Sequence, residues 1–372
     1  MSAYSGPEIV NDALVFAYDM GPNPGANKSW KGAPTANLYG NATDYNSGLS
    51  LGRWFRLDDT IKSIQLSSTF NSWCVRWSAT LSANTQYTFS CEHRSDVDNS
   101  TFVLDNDGVD DNTWNTTVTS TTEWQTYKFT RTNIAAGTMN MYARRNSGGN
   151  IFIRKIQIEQ QAFATPFVNG TRSNTEALLD WTGNNTITIN GLTYNSDGTF
   201  NYYGTNGTGL ILPGTNFSLN EQTIECWCYA SSFVQNGFMF EKTTNNLVNT
   251  QYSFFFNNNA THLYYRTYGL TPRDLTRTTS TSGVINNQWN HMVATFDGST
   301  KKIYVNGAQK VSEAVTGTIT QNTTGSAYIG TYGNFVGYPY NGKIGVTRIY
   351  NRALTANEIT INFNTLRGRY GI

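Results

Sequence analysis

The chain has 372 residues, more than one hydrophobic core usually serves, so two domains are expected. Aromatic residues make up 14% of the sequence and can fill two cores, whereas charged residues make up only 14%. The net charge of +1 provides no long-range field for phosphate backbones, which argues against nucleic acid as a partner.

The N-terminal stretch shows no targeting signal. It lacks the basic segment, the apolar run and the small-residue cleavage site of a signal peptide. No run approaches the 18 apolar residues of a membrane-spanning helix, so no membrane insertion is expected. Cytoplasmic folding follows as an expectation. The cysteines are interpreted as reduced residues, which is compatible with folding in the cytoplasm: Cys74, Cys91, Cys226 and Cys228.

The first strand-like run is ALVFAYDMG at residues 13–21. The Pro/Gly-rich stretch GPNPGANKSWKGAP follows it and separates it from the next strand-like runs. This run therefore has no obvious strand partner nearby.

Residues 34–170 contain short alternating runs separated by turn residues. In QYTFSCEHR, for example, Tyr87, Phe89 and Cys91 alternate with polar residues, and TEWQTYKFTRT and NIFIRKIQIEQ continue the rhythm. Alternation of this kind is typical of antiparallel sheets with one buried face. The segment is predicted to form a β-sandwich.

A second series of strands begins with LLDWTGNN at residues 178–185 and continues through QTIECWCYA, YSFFFNN and NQWNHMVATFDGSTKKIYVNG. Its Asp-Gly and Asn-Gly steps mark tight hairpin turns. Near the C-terminus, Thr355 and Glu358 form a capping-box pattern, and apolar residues follow at helical spacing before Gly368. The series predicts a second sandwich closed by a short helix.

From about residue 177 to the end, these phrases resemble the laminin G-like, concanavalin A-like jelly-roll family, most specifically in QWNHMVATFDG and KIYVNG. LVFAYDMG and LLDWTGNN resemble two halves of the opening of that family. The resemblance implies an all-β chain of two antiparallel β-sandwiches, the second inserted into the first. The domains are then residues 1–33 with 171–372, and residues 34–170.

The inserted segment resembles a galactose-binding-like jelly roll of the carbohydrate-binding-module type. Its closing phrase IEQQAFATPFV is similar to such modules in bacteriophage virion proteins, as is the tail NFNTLRGRYGI. The resemblance implies a virion structural component, such as a capsid decoration, fibre or tail-associated protein. Its partners would be other virion proteins and host glycans, and a homo-trimer is a candidate state. A free lectin and a concanavalin-like glycoside hydrolase are the alternatives.

The sequence argues against an enzyme. Glycoside hydrolysis uses two carboxyl groups at a controlled separation, and concanavalin-like hydrolases place them on one strand. No such run occurs here, because Glu221, Glu225 and Glu241 are irregularly spaced. The three histidines stand in separate segments without a nucleophile motif, so a catalytic triad is not expected either.

Two kinds of binding site are candidates. No cofactor is expected, but a structural calcium ion could bind the acidic run LDNDGVDDN, although an acidic turn explains the same residues: Asp105, Asp107, Asp110 and Asp111. For glycans, a flat aromatic ring and neighbouring polar groups are needed. The candidates are Trp114, in a polar loop, together with Trp73, Trp77, Arg144 and Arg145, of which Trp73 and Trp77 could equally be core residues.

Overall fold

A computed structural model describes residues 9–22, 29, 31–32, 35–36, 38, 55–58, 63–66, 75–108, 114–167, 171–195, 198–203, 207–232, 237–244, 250–257, 262–333 and 339–372. The chain divides into two compact units, residues 1–31 with 174–372 and residues 32–173. Both consist of antiparallel sheets, which confirms the predicted all-β fold class.

The strands, in chain order, are β1 (Leu14–Asp19), β2 (Thr35–Ala36), β3 (Phe55–Asp58), β4 (Ser63–Leu66), β5 (Val75–Leu81), β6 (Thr85–Ser95), β7 (Ser100–Gly108), β8 (Thr116–Ser120), β9 (Gln125–Asn133), β10 (Gly137–Ser147), β11 (Ile151–Glu159), β12 (Thr171–Arg172), β13 (Thr188–Asn190), β14 (Thr193–Tyr194), β15 (Phe200–Tyr203), β16 (Gly209–Leu212), β17 (Gln222–Ala230), β18 (Gly237–Thr243), β19 (Thr250–Asn257), β20 (His262–Thr267), β21 (Leu270–Thr271), β22 (Asp274–Thr278), β23 (Trp289–Phe296), β24 (Thr300–Val305), β25 (Ala308–Ala314), β26 (Thr316–Gly317), β27 (Ser326–Ile329) and β28 (Asn341–Tyr350). The helices are α1 (Thr279–Ser282) and α2 (Ala356–Tyr370), and a 3₁₀ turn spans Thr215–Phe217.

The larger unit is a sandwich of two sheets. One has the order β14-β15-β28-β17-β23-β24-β25, with β1 also paired to β28, and the other has the order β13-β16-β27-β18-β19-β20-β22. Their inner faces enclose a large apolar core, to which Phe16 contributes. Because Phe16 pairs with Ile349, the isolated first strand finds its partner near the other end of the chain.

The C-terminal helix α2 begins with the predicted capping box. The Glu358 amide donates to Thr355 Oγ1 at 3.3 Å, and the Thr355 amide donates to Glu358 Oε2 at 2.8 Å. The helix does not end before Gly368 but continues to Tyr370, where Gly371 adopts a left-handed φ of 71°. Tyr370 stacks on Trp227 at 4.5 Å, and this tertiary contact stabilises the extra turn. In the described part of the chain, neither helix has the length and hydropathy of a membrane span.

The smaller unit is also a sandwich. A four-stranded sheet, β5-β10-β7-β8, faces a five-stranded sheet, β3-β4-β11-β6-β9, and β2 pairs with β12. Apolar residues from both sheets form its core. Cys91 in this core, and Cys226 and Cys228 in the larger unit, are buried free thiols, as predicted. Cys74 lies outside the described residues.

Candidate functional site

Trp114 is a core residue and not the exposed stacking surface that the polar loop suggested. Its side chain is 1% exposed and meets the Phe129 ring edge-on, with ring centroids 5.1 Å apart. Its backbone amide donates to Asn106 Oδ1 at 2.9 Å. A fully buried indole has no free face for a sugar ring, so the prediction of a glycan contact at Trp114 is wrong.

The remaining glycan candidates are only partly described. Trp77 is half-buried against the core of the smaller unit, and Trp73 lies outside the described residues. Arg144 and Arg145 lie on β10. The Arg145 guanidinium donates to the carbonyls of Gly148 and Gly149, each at 3.2 Å from Nε, and so helps to close the turn that follows β10.

The acidic candidates are only partly described. Asp105 and Asp107 lie on β7, and Asp105 Oδ1 accepts a hydrogen bond from the Asn106 amide at 2.9 Å. Asp110 and Asp111 lie outside the described residues. Among the residues that the structure describes, no three His, Cys, Asp or Glu side chains lie close enough together to hold a metal ion. The calcium site stays a prediction.

A different set of aromatic and charged side chains lies on the outer face of the five-stranded sheet. Along β6, Phe89, Cys91 and His93 are buried, whereas Glu92 and Arg94 alternate with them and are only half-buried. On the neighbouring strand β11, Arg154 stands opposite Glu92 and Phe152 stands opposite Arg94. We call Arg94, Trp124, Phe152 and Arg154 the basic-aromatic face.

Cation–π contacts hold the basic-aromatic face together. The Arg154 Cζ lies 3.9 Å from the centroid of the Trp124 ring. The Arg94 Cζ lies 4.5 Å from the Phe152 centroid and 5.5 Å from the Trp124 centroid. Such contacts restrict the long arginine side chains, so a ligand would meet an arrangement that is already largely ordered.

A depression of about 290 Å³ lies on the same sheet, next to Glu92. It is lined by Ser90, Cys91, Glu92, Thr126, Lys128, Lys155, Ala164, Thr165, Pro166 and Phe167. The lining combines ammonium groups, hydroxyl groups and one aromatic ring. Polar groups beside an aromatic surface are the usual components of a site for a small polar ligand.

A β-bulge directs two consecutive cations to one side of β11. Successive strand residues normally point to opposite faces, yet Arg154 Nε and Lys155 Nζ each donate to Glu92 at 2.7 Å. The register shifts between Arg154 and Gln157, and Lys155 has a left-handed φ of 51°. This conformation costs a non-glycine residue on the order of 1 kcal/mol, and bulges often re-aim a side chain toward a binding site.

The contacts of Glu92 keep it ionised. Partial burial opposes its ionisation, but hydrogen bonds and charges from Lys155 and Arg154 outweigh that effect and lower the pKa of the carboxyl. Glu92 therefore carries one negative charge against two adjacent positive ones. The neighbouring strand β9 adds the exposed ammonium of Lys128.

Residues 164–167 of the segment IEQQAFATPFV form one wall of the depression. Glu159, at its start, is fully buried and accepts hydrogen bonds from the Thr165 amide at 2.7 Å and the Thr165 hydroxyl at 2.8 Å. Gln157 Nε2 donates to the same carboxylate at 2.7 Å. This Glu159–Thr165 clasp fixes the loop that presents Pro166 and Phe167, so the phrase has a direct folding role.

Of the three glutamates that the sequence analysis compared with a hydrolase pair, Glu225 and Glu241 are held by contacts with other protein groups. Glu225 is 1% exposed beneath α2 and pairs with Arg348 at 2.9 Å and His291 at 3.1 Å. Glu241 lies on the seven-stranded sheet and accepts hydrogen bonds from the Gly333 amide at 2.8 Å and the Thr250 hydroxyl at 3.2 Å. Both carboxylates are thus bonded to protein groups.

Residues 203–360 match the family model of the concanavalin A-like lectin/glucanases superfamily, Laminin_G_3. The match confirms the concanavalin A-like resemblance over that segment. The search of curated proteins gives no match.

Solved structures give distant similarities. Domain 4 of a GH43 extracellular arabinanase from Geobacillus stearothermophilus, in complex with arabinotriose, is 20% identical, with a TM-score of 0.38, over 50% of this chain and 91% of that one. The botulinum neurotoxin type G receptor binding domain is 16% identical, with a TM-score of 0.40, over 50% of this chain and 48% of that one. The serotype D ligand binding domain in complex with N-acetylneuraminic acid is 15% identical, with a TM-score of 0.41, over 52% and 49%. This chain thus spans about half the length of the neurotoxin domains.

Proposed function

We propose that this protein is a non-enzymatic, glycan-binding component of a bacteriophage virion. In this proposal the outer face of the five-stranded sheet contacts host-surface glycans. The observation that carries it is the depression of about 290 Å³ beside the basic-aromatic face. Aromatic, hydroxyl and ammonium groups there can contact both the apolar face and the hydroxyl groups of a sugar.

Two features of the described carboxyl groups support a non-enzymatic role. Hydrolysis of a glycosidic bond uses two carboxyl groups roughly 5 to 9.5 Å apart on either side of the bond. Glu225 is enclosed by Arg348, His291 and Asn362. In the seven-stranded sheet, Glu241 on β18 and Asp274 on β22 lie in register across the intervening strands β19 and β20. Three inter-strand spacings separate them, which is about 14 Å at the usual spacing.

The virion part of the proposal rests on the resemblance of IEQQAFATPFV and NFNTLRGRYGI to phrases of phage virion proteins. A capsid decoration, fibre or tail-associated position would fit an all-β protein with a nearly neutral polar surface. Immunogold labelling of purified particles, with particles from a deletion strain as control, tests this part. Label on wild-type particles alone is expected, and absence of the protein from particles would overturn the virion assignment.

Glycan arrays followed by calorimetry test the binding part. Trp124→Ala should weaken binding about tenfold or more, because it removes the ring on which Arg154 is stacked. Trp181→Ala, which removes a 38% exposed tryptophan from the larger unit, is the matched control and should leave affinity unchanged. No bound glycan at millimolar concentration, or equal affinity of the Trp124→Ala variant, would overturn the proposal.

A further inference from the structure

We infer that the depression of the smaller unit binds saccharides that carry a carboxylate, and that Lys128 and Lys155 recognise that group. This inference rests on the proposed glycan-binding function and specifies its ligand class. The relevant charges belong to three adjacent strands, β11, β6 and β9.

The two lysines approach β6 from opposite sides. Lys155 on β11 reaches Glu92 from one side, and Lys128 on β9 stands opposite Ser90 from the other. Strands lie about 4.8 Å apart, so these flanking strands are separated by about 10 Å across β6. The depression is therefore lined by lysines from the strands on both sides of β6.

The charge balance favours an anion. The single carboxylate in the lining, Glu92, is engaged by both Arg154 and Lys155, which leaves this group of three with one net positive charge. The described residues show no ion pair for Lys128, which adds a second positive charge. The entire chain carries a net charge of only +1, so this local excess is not a general property of its surface.

The remaining lining suits a sugar ring. Ser90 and Thr126, which carry hydroxyl groups, and Phe167, which carries an aromatic ring, line the depression. A hydrogen bond between an ammonium and a carboxylate is roughly twice as strong as one between neutral groups, so an acidic sugar gains more here than a neutral one. A volume of about 290 Å³ is at the lower end for ligand pockets, which fits a single terminal sugar residue.

The placement of Lys155 gives the inference its second support. Regular alternation would direct Lys155 away from Arg154, and only the bulge with its left-handed residue places both cations beside Glu92. One arginine would suffice to pair with Glu92. The additional cation therefore raises the net charge of the group formed by Glu92, Arg154 and Lys155 from zero to one positive charge.

Calorimetry with matched sugars tests the inference. Methyl glucuronide is compared with methyl glucoside, and sialyllactose with lactose, at 50 and 500 mM NaCl. The acidic member of each pair should bind at least tenfold more tightly at low salt, and high salt should reduce that preference. Lys128→Gln should remove most of it, Lys155→Gln part of it, and Lys128→Arg should restore it.

Arg131→Gln supplies the matched control, because it removes one positive charge from β9 at a residue that does not line the depression. Melting temperatures of all variants verify folding, and the salt dependence of the wild-type protein tests the inference without any variant. Equal binding of acidic and neutral sugars, unchanged by Lys128→Gln, would overturn the inference but leave the proposed function intact. Failure of every sugar to bind would overturn both.

Discussion

Arg348 and Glu225 form an ion pair in the larger unit, with Arg348 Nη1 donating to Glu225 Oε1 at 2.9 Å and both side chains 1% exposed. His291 Nε2 lies 3.1 Å from the same oxygen, and Asn362 Nδ2 on α2 donates to Oε2 at 2.8 Å. The carboxylate thus connects β17, β23, β28 and α2. The helix is held to the sheet by polar contacts as well as by stacking of Tyr370 on Trp227.

Glu225→Ala should destabilise the larger unit by about 3 to 5 kcal/mol, because it leaves the Arg348 guanidinium buried without its counter-charge. Denaturant unfolding followed by tryptophan fluorescence measures this change. Glu313→Ala, at an exposed position on β25, is the control and should cost less than 0.5 kcal/mol. A loss below 1 kcal/mol for Glu225→Ala would contradict the structural role of the pair.

Stability of the larger unit should fall as pH drops from about 4.5 to about 2. Burial opposes ionisation of Glu225, but Arg348 and His291 dominate and lower its pKa to about 2. A depressed pKa in the folded state contributes stability above the unfolded value, and that stability is lost as the group protonates on acidification. The acid limb of a plot of melting temperature against pH should be shallower for Glu225→Gln than for the wild-type protein. Parallel acid limbs would refute this assignment.

Glu241 should produce the opposite dependence at higher pH. Burial raises its pKa to about 8, although the Gly333 amide, the Thr250 hydroxyl and Arg266 counteract part of the effect. Below the unfolded-state pKa of about 4.5, the Glu241 carboxyl is protonated in both the folded and the unfolded state and has no effect on stability. As pH rises from there toward 8, the unfolded state loses the proton while the folded state keeps it, so the fold becomes progressively less stable. Glu241→Gln removes the titrating proton and should flatten the loss between pH 5 and 8. Identical slopes for variant and wild type would show that Glu241 does not titrate in this range.

Much of the fold follows from local patterns. The short apolar run in ALVFAYDMG predicts β1, and the Thr355–Glu358 capping box predicts the start of α2. The end of α2 does not follow from sequence, because Tyr370 is held by Trp227, a residue 143 positions earlier in the chain. Contacts between residues this distant in sequence leave no local pattern.

The candidate site was less predictable for a related reason. Trp114 stands among polar residues yet packs in the core, whereas Trp124 shares alternation parity with Thr126 and Lys128, the outward positions of β9. The alternation of inward and outward positions could therefore have predicted that Trp124 lies on the outer face of the sheet. The bulge at Lys155 could not be anticipated, because a non-glycine residue in a left-handed conformation has no sequence signature in NIFIRKIQIEQ.

Trp114 provides a test of the corrected assignment. Trp114→Ala should destabilise the smaller unit by about 3 to 5 kcal/mol through loss of a buried aromatic side chain, and Trp114→Phe should cost less because it retains much of the packing. Thermal unfolding measures both variants. Folded Trp114→Phe protein should bind glycans with wild-type affinity, and a selective tenfold loss of binding at unchanged melting temperature would restore Trp114 as a ligand contact.

The clasp between Glu159 and Thr165 links the stability of the smaller unit to the shape of its depression. Glu159→Ala leaves the Thr165 amide and hydroxyl without their acceptor, which should cost about 1 to 3 kcal/mol. It should also weaken glycan binding, because the loop carrying Phe167 loses its fixed position. Denaturant unfolding and calorimetry are compared with Glu123→Ala, an exposed position before β9. Unaltered affinity in a destabilised Glu159→Ala variant would show that this wall of the depression does not contribute to binding.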